Sequence, residues 1–155
     1  MTSELWRLRS VVNWVNLSTP LGLVVARVGH AQVASRGRGL RLATGYRFGF
    51  PAASAFTIGS VVISSHSPEY FDERPELLRH EERHTWQYVA CLGLPFIPLY
   101  LAAAGWSWLR AGDWASHNVF ERLAGLSDGH YVVPTPEQVT AVHARRRQAF
   151  RSLFR

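Results

Sequence analysis

The chain of 155 residues contains no lysine, a single cysteine and comparatively few charged side chains. Because Cys91 stands alone, an internal disulfide is excluded, and the composition fits a reducing compartment. Charged residues make up 18% of the chain, whereas apolar residues make up 47% and include six tryptophans and eight phenylalanines. This balance excludes a disordered chain and predicts one domain over residues 1–155 with a substantial core.

The 17 basic residues are all arginine, and they are unevenly distributed. Seven arginines and one acid give residues 1–68 a net charge of +6, and five arginines and one acid give residues 136–155 a charge of +4. Residues 69–135 hold five arginines and nine acids, hence −4, which suits a bound dication. The basic ends suit an anionic partner such as a membrane surface, and no nucleic-acid-binding motif accompanies them.

Two apolar segments raise the question of a membrane. The N-terminal segment 1–30 is interrupted by Asn13, Asn16 and Pro20, so it does not read as an export signal and a cytoplasmic location is expected. Residues 89–109 carry no charge over 21 positions, which is long enough for a membrane span. Two prolines, at 95 and 98, would break its helical hydrogen bonds, so we expect a buried or membrane-contacting hairpin instead.

Local patterns predict an α+β fold with helices at both ends and a short sheet between them. Proline, glycine and capping residues set most of the expected boundaries. In the N-terminal part we expect helices up to about Val15 and again from Leu21, then a hairpin over 35–51 with its turn at Gly45, and a strand within 54–65 with a bulge or close backbone approach at Gly59. A helix is expected to run from near Pro75 towards Gly93. In the C-terminal part we expect a helix from about Trp114 to Ala124, with Asp113 as N-cap and Gly125 as stop, and a basic amphipathic helix over 136–155 capped by Thr135 and Gln138.

The segment LLRHEERHTWQY, residues 77–88, carries the strongest chemical signal. His80 and His84 are one helical turn apart, so two imidazoles on one face can bind a Zn²⁺ ion at about 2.0–2.1 Å. Glu81 lies about 100° further round the helix, where it can take a proton from water that zinc acidifies. This is the HExxH arrangement of metallopeptidases. The alternative is a solvated helix in which Arg79 pairs with Glu82 or Glu76.

A catalytic zinc ion needs a third protein ligand and an open position. Glu121, in the segment HNVFERLAG, is the candidate, because it falls on a predicted helix 37 residues after His84. Asn118 and His117 precede it by three and four residues and share its face. Asn118 would orient Glu121 or a neighbouring group, and His117 is a rival ligand.

Hydrolysis of an amide also needs donors that stabilise the negative oxygen of the transition state. His130 and Tyr131, in the segment SDGHY, are candidates, and so is Tyr88. Their spacing does not favour one over the others.

With HExxH and a downstream glutamate, the chain resembles the gluzincin branch of the zincin metallopeptidases. The segment AFTIGSVVISS followed by LLRHEERHTWQ resembles a bacterial zincin domain found near toxins and phage-tail-like injection systems. The HExxHxxQ helix, the proline-broken apolar segment and the later NxFE also resemble a small actinobacterial zincin-type domain. The similarity covers about residues 45–130. It implies a small zincin-like α+β domain with a core over about 40–131, in which a short antiparallel sheet or hairpin packs on the active-site helix.

The resemblance also assigns roles to individual residues. It implies that His80, His84 and Glu121 hold Zn²⁺, that Glu81 is the general base, and that Gln87 packs beside or supports the ligands. It further implies that the strand 55–63 is the edge strand that holds an extended peptide, through Thr57, Ile58, Gly59, Ser60 and Val61. The gluzincin ExxxD pattern is absent, because position 125 is glycine and Asp128 is out of register.

We therefore expect a zinc-dependent metallopeptidase that hydrolyses a peptide or protein substrate with metal-activated water. The alternative is a non-catalytic, membrane-associated protein with a degenerate zincin fold. In that alternative, residues 89–109, the tryptophans at 106, 108 and 114, and the helix 136–155 dock on an anionic membrane surface.

Overall fold

The computed structural model describes residues 4–51 and 53–152 and has an α+β fold. The chain divides between Ile97 and Pro98 into two compact units. The described helices are α1 (Leu5–Val15), α2 (Ser18–Val28), α3 (Pro68–Asp72), α4 (Pro75–Ala90), α5 (Phe96–Ala111), α6 (Val119–Ala124) and α7 (Pro136–Ser152). The described strands are β1 (Gln32–Gly37), β2 (Leu40–Thr44), β3 (Phe56–Ile58) and β4 (Val61–Ile63).

The four strands of the first unit form one mixed sheet in the order β1-β2-β4-β3. β1 pairs with β2, and β3 with β4, in antiparallel fashion, whereas β2 and β4 are parallel. The expected antiparallel pairing is found within each hairpin, and the two hairpins are joined by the parallel pair of β2 and β4. After the long connection from β2 to β3, the second hairpin pairs with the first through β4, its later strand, which lies beside β2.

Both hairpins differ in detail from the sequence-based expectation. The first one turns at Arg38 and Gly39, which have φ of 49° and 71°, and not at Gly45, which follows β2. The strand expected over 54–65 is two short strands joined by a turn at Gly59 and Ser60. Tight two-residue turns favour residues that tolerate positive φ, which explains why glycine occupies one position of each turn.

Gly59 also allows the first turn of α2 to approach the β3–β4 turn closely. Its φ is 62°, and a Cβ at this position would lie 2.3 Å from the backbone nitrogen of Thr19. The close backbone approach expected at Gly59 is thus confirmed. Ser60 continues the contact, because its backbone N–H donates to Thr19 Oγ1 at 3.1 Å.

The sheet has a packed layer on each face, as the alternation of side chains along a strand requires. On one face Val61 and Ile63 pack with Ala26 of α2. On the opposite face Val62 packs with Phe71 of α3 and Leu77 of α4. The helix that carries the histidine pair is therefore fixed on the sheet by its apolar first turn.

α1 holds α4 from another side through two fully buried polar residues, Arg9 and Asn13. Arg9 Nη1 lies 2.7 Å from Glu82 Oε1, and Asn13 Nδ2 donates to the backbone oxygen of Thr85 at 2.9 Å. In the solvated-helix alternative Arg79 pairs with Glu82 or Glu76, but the ion-pair partner of Glu82 is Arg9. The alternative of a solvated helix fails as well, since one face of α4 is buried.

In the second unit, the helix expected from Trp114 is shorter and begins at Val119. Its N-cap is Asn118, whose Oδ1 accepts from Phe120 N at 3.0 Å. Asp113 instead closes a turn before it by accepting from the backbone of Ser116 at 2.6 Å. Burial acts to raise the pKa of Asp113, but hydrogen bonds from Ser116 and a neighbouring backbone N–H outweigh it and lower the pKa. Gly125, with φ of 93°, ends α6 as expected.

The C-terminal helix begins at Pro136 as expected, and its capping box is confirmed. Thr135 N donates to Gln138 Oε1 at 2.9 Å, and Gln138 N faces Thr135 Oγ1 at 3.4 Å. Residues 153–155 of the expected helix lie outside the described part. Arg146 donates to the last carbonyls of α5 at 2.8 and 2.9 Å and lies over the ring of Trp108 at 4.0 Å. This tryptophan, expected to contact a membrane, is thus partly covered by the chain itself.

Within residues 4–51 and 53–152, no single helix has both the length and the apolarity needed to cross a membrane. The uncharged stretch 89–109 is divided by turns between Ala90 and Phe96 into the end of α4 and most of α5. α1 and α2 meet the two conditions only as a pair, and the pair is bent by 72°.

Replacing Glu82 by alanine is expected to lower the free energy of unfolding by about 3–5 kcal/mol, because the change leaves a buried guanidinium without its counter-charge. Urea unfolding measures this loss. The matched control is Glu73→Ala, whose carboxylate lies 3.1 Å from Arg74 at the surface and contributes less than about 1 kcal/mol. Equal effects of the two changes would contradict the role assigned to Glu82.

Candidate metal centre

α4 presents its functional side chains on one buried face. Pro75 occupies its first turn, where the missing N–H costs nothing, and Glu76 suits the positive helix end. The buried residues recur at helical spacing and include Leu77, His80, Glu81, His84, Thr85 and Tyr88. The helical register expected from the sequence is therefore confirmed.

The imidazole rings of His80 and His84 meet edge to face, with centroids 4.7 Å apart and planes at 83°. Their Nε2 atoms are 3.0 Å apart, and the two side chains are 1% and 6% exposed. Two nitrogens on one tetrahedral zinc ion, at Zn–N distances of about 2.0–2.1 Å, lie about 3.3 Å from each other. The pair thus needs only a small adjustment to bind one ion through both Nε2 atoms.

Gln87 fixes the ring orientation of His84. Its Oε1 lies 2.8 Å from His84 Nδ1. Because an amide oxygen only accepts hydrogen bonds, this contact assigns the proton to Nδ1 and the lone pair to Nε2. Nε2 is the nitrogen that faces His80, so His84 has the tautomer that a metal ligand requires.

Glu81 projects from α4 towards β3, the edge strand of the sheet. Its carboxyl group is 3% exposed and accepts a hydrogen bond from Thr57 Oγ1 at 2.6 Å. The same hydroxyl lies 3.4 Å from the backbone oxygen of Glu81. β3 therefore holds the carboxyl group of Glu81 in place beside the two imidazoles on the same helix.

The edge strand available to a peptide is shorter than expected. Thr57 and Ile58 lie on β3, Gly59 and Ser60 form the turn, and Val61 belongs to the inner strand β4. The backbone oxygen of Thr57 already accepts from the Tyr88 hydroxyl at 3.2 Å.

Tyr88 does not fit the expected role of an oxyanion donor. Its side chain is 2% exposed, and burial raises the pKa of its hydroxyl. The single proton of that hydroxyl is donated to β3. Tyr88 therefore joins α4 to the sheet.

Glu121 is a buried carboxyl group in the second unit. Its side chain is 1% exposed, and Tyr100 of α5 donates its hydroxyl proton to Glu121 Oε1. Asn118 is fully buried and caps α6 through its side-chain oxygen, so its position serves the helix that carries Glu121. A buried carboxyl group that is oriented by a neutral hydroxyl donor is a suitable metal ligand.

The remaining candidates of the second unit are more accessible to solvent. His117 is exposed, and its backbone N–H donates to Ser107 Oγ at 2.8 Å. His130 is exposed with φ of 58°, whereas Tyr131 is half-buried. Their expected roles as rival ligand and oxyanion donors stay predictions.

Three contributions to these groups were missed by reasoning from the sequence. The sequence suggests that Thr57 binds substrate through its backbone, but its hydroxyl binds Glu81. It gives Tyr100 only as part of an apolar stretch, and Arg9 only as one of seven arginines in residues 1–68. Only Arg9 left a signal, since Arg9 and Asn13 are polar residues four apart, and hence on one face, in a mostly apolar helix.

Known proteins offer no independent assignment for these residues. Comparison of the chain with protein-family models, with curated proteins and with solved structures finds no match. Function is therefore inferred from the side chains themselves.

Replacing Thr57 by valine is expected to lower the free energy of unfolding by about 1.5–3 kcal/mol, because the buried carboxyl group of Glu81 loses its hydroxyl donor while the side-chain shape is kept. Thr57→Ser should retain most of that stability. The control is Thr140→Val at an exposed position of α7, where we expect less than about 0.5 kcal/mol. A valine variant as stable as the wild type would show that the contact with Glu81 contributes nothing.

Proposed function

We propose that this protein is a zinc-dependent metallopeptidase. The observation that carries the proposal is the pair of buried imidazole nitrogens, 3.0 Å apart on one helix turn, next to a buried glutamate on the same helix. The two Nε2 atoms face each other within hydrogen-bond distance. A divalent ion between them could be bound by a lone pair from each nitrogen.

The proposed third ligand is Glu121. Support comes from the chemistry of the donors, because His80, His84 and Glu121 are all buried and each offers one ligand atom. Two imidazoles and one carboxylate suit zinc better than calcium or magnesium, which prefer oxygen ligands alone. Three protein ligands also leave the fourth tetrahedral position open, as catalysis requires.

The chemistry follows from the positions of the side chains on α4. A bound zinc ion would polarise a carbonyl group and make a water molecule acidic near neutral pH. Glu81 takes the proton from the attacking water and passes it to the leaving nitrogen, as a general base and then a general acid. The hydrogen bond from Thr57 orients the carboxyl group of Glu81, which reduces the reorientation needed when substrate binds.

The proposed substrate is a peptide bond within an extended segment beside β3. Support comes from the location of β3 at the sheet edge and from its contact with Glu81. Because β3 has three residues and one of its carbonyls is bound by Tyr88, backbone pairing with substrate would extend over one or two residues only. Side-chain recognition must then supply most of the selectivity.

Metal analysis of the purified protein tests the ligand set. The wild type is expected to hold one zinc ion per chain, and His84→Ala and Glu121→Ala are each expected to lose it, since three protein ligands are the minimum for a catalytic site. His30→Ala and Glu137→Ala, at exposed positions, are the matched controls and should keep the metal. Zinc content that is unaffected by either ligand change would exclude the proposed centre.

Turnover of a fluorogenic peptide library tests the reaction. Glu81→Gln is expected to reduce kcat by about 10²–10⁴-fold while zinc content stays at the wild-type level, because the change removes the base but not a ligand. The neighbouring Glu82→Gln serves as control, and it should alter stability more than kcat. A library that is cleaved equally by the Glu81→Gln variant would contradict the assignment of the base.

A further inference from the structure

The first two helices, α1 and α2, bury polar or small residues and expose apolar ones. This is the reverse of an ordinary amphipathic helix at a protein surface. In α1 the residues that face the protein are Arg9 and Asn13, which are fully buried. The apolar residues on the other side are exposed, and they include Leu8 at 56%, Val11 at 59% and Val15 at 77%. A surface helix of a water-surrounded protein normally buries its apolar stripe and exposes its polar face.

α2 shows this inversion only in part, because Leu23 and Val25 are half-buried against the sheet. Its buried positions hold only small side chains, namely Ser18, Thr19, Gly22 and Ala26. Its exposed positions include the larger Val24 and Val28, at 58% and 57%. Small residues inside and branched apolar residues outside are typical of helices that pack against protein on one side and lipid on the other.

Two exposed leucines with left-handed backbone, one between α1 and α2 and one after α4, are a second, independent observation. Leu17, at the α1–α2 corner, is 60% exposed and has φ of 66°, and Leu92, in the loop after α4, is 81% exposed with φ of 59°. Leucine is unfavourable in the left-handed region, where glycine or asparagine is usual. Neither leucine is compensated by burial, so their side chains do not serve the packing of the chain itself.

These two leucines belong to one region of the first unit. A Cβ on Gly93, the residue after Leu92, would lie 2.6 Å from Asn16 Cγ, the residue before Leu17. Val15 and Leu94, exposed by 77% and 37%, flank the same contact. We call Val15, Leu17, Leu92 and Leu94 the apolar tip.

We propose that the apolar tip and the outer stripe of α1 insert into the surface of a lipid bilayer that contains anionic lipids. This interaction is separate from peptide hydrolysis and does not depend on it. The tip differs from the segment 89–109 as a whole, because it combines the α1–α2 corner with only the first turns after α4.

Charge supports a bilayer as the partner. Residues 10–26 and 89–97, which supply the tip, contain no charged side chain, so insertion requires no charge to be desolvated. The surrounding residues 1–68 carry seven arginines and one acid, and Arg7, Arg27 and Arg47 among them are exposed. An uncharged tip suits the hydrocarbon boundary of a bilayer, and the exposed arginines elsewhere in the same unit suit its anionic headgroups.

Helix composition supports the same partner. α1 and α2 together have the length and apolarity of a membrane segment, with a 72° bend that suits a segment which enters and leaves the same side. A protein partner of this surface would normally be matched by aromatic and arginine residues at the centre of the contact. The apolar tip contains only aliphatic side chains.

Flotation with lipid vesicles tests the proposal. The wild type should float with vesicles of phosphatidylcholine and phosphatidylserine, and less with phosphatidylcholine alone. The double variant Leu17→Asn, Leu92→Asn should reduce the partition coefficient roughly tenfold for each leucine removed from the bilayer. Asparagine tolerates the left-handed backbone at both positions, so the melting temperature should be unchanged or higher.

The matched control is the double variant Val132→Asn, Val133→Asn in the second unit, at residues that are 88% and 57% exposed and lie outside helices and strands. It should float as the wild type does. The proposal is overturned if the wild type stays with the soluble fraction, or if the leucine variant floats equally well. It is overturned too if sedimentation shows a dimer that the leucine variant converts to a monomer, since the tip would then cover a second copy.

Discussion

The burial of polar side chains along α4 is the constraint on which the first unit depends. His80, Glu81 and His84 are each less than 10% exposed, and a buried polar group is tolerated only with a hydrogen-bonding partner. Partners therefore have to come from several directions at once. β3 supplies Thr57 for Glu81, and α1 supplies Asn13 for the backbone of the same helix.

This requirement explains the unusual polarity of the N-terminal helices. Because α1 turns Arg9 and Asn13 towards α4, its apolar stripe faces away from the protein. An ordinary amphipathic helix at this position would bury leucines against Glu82 and leave that carboxylate unpaired, at a cost of several kcal/mol. The apolar outer surface of α1 is thus a consequence of how the candidate catalytic helix is held. The first unit thus contains both α4, which carries the HExxH residues of the proposed site, and the proposed membrane surface.

Reasoning from the sequence was most accurate where the signal was local. The start of α4, the capping box at Thr135 and Gln138, and the stop at Gly125 all depend on residues a few positions apart, and the sequence predicts all three. It failed where two strong local signals competed. Gly45 seemed the natural turn, yet Arg38 and Gly39 form it, and Asp113 resembled a helix N-cap but closes a separate turn before Asn118.

The sequence alone determined that two imidazoles and a glutamate share one helix in the HExxH register, because helical geometry relates residues three and four positions apart. Only the tertiary structure decided what surrounds them. Glu82 finds its partner 73 residues away in Arg9, and Glu81 finds one 24 residues away in Thr57. Such pairings depend on the order of the strands and on which face of each helix is turned inwards. Both arise from packing the whole chain, so no pattern within a short stretch of sequence specifies them.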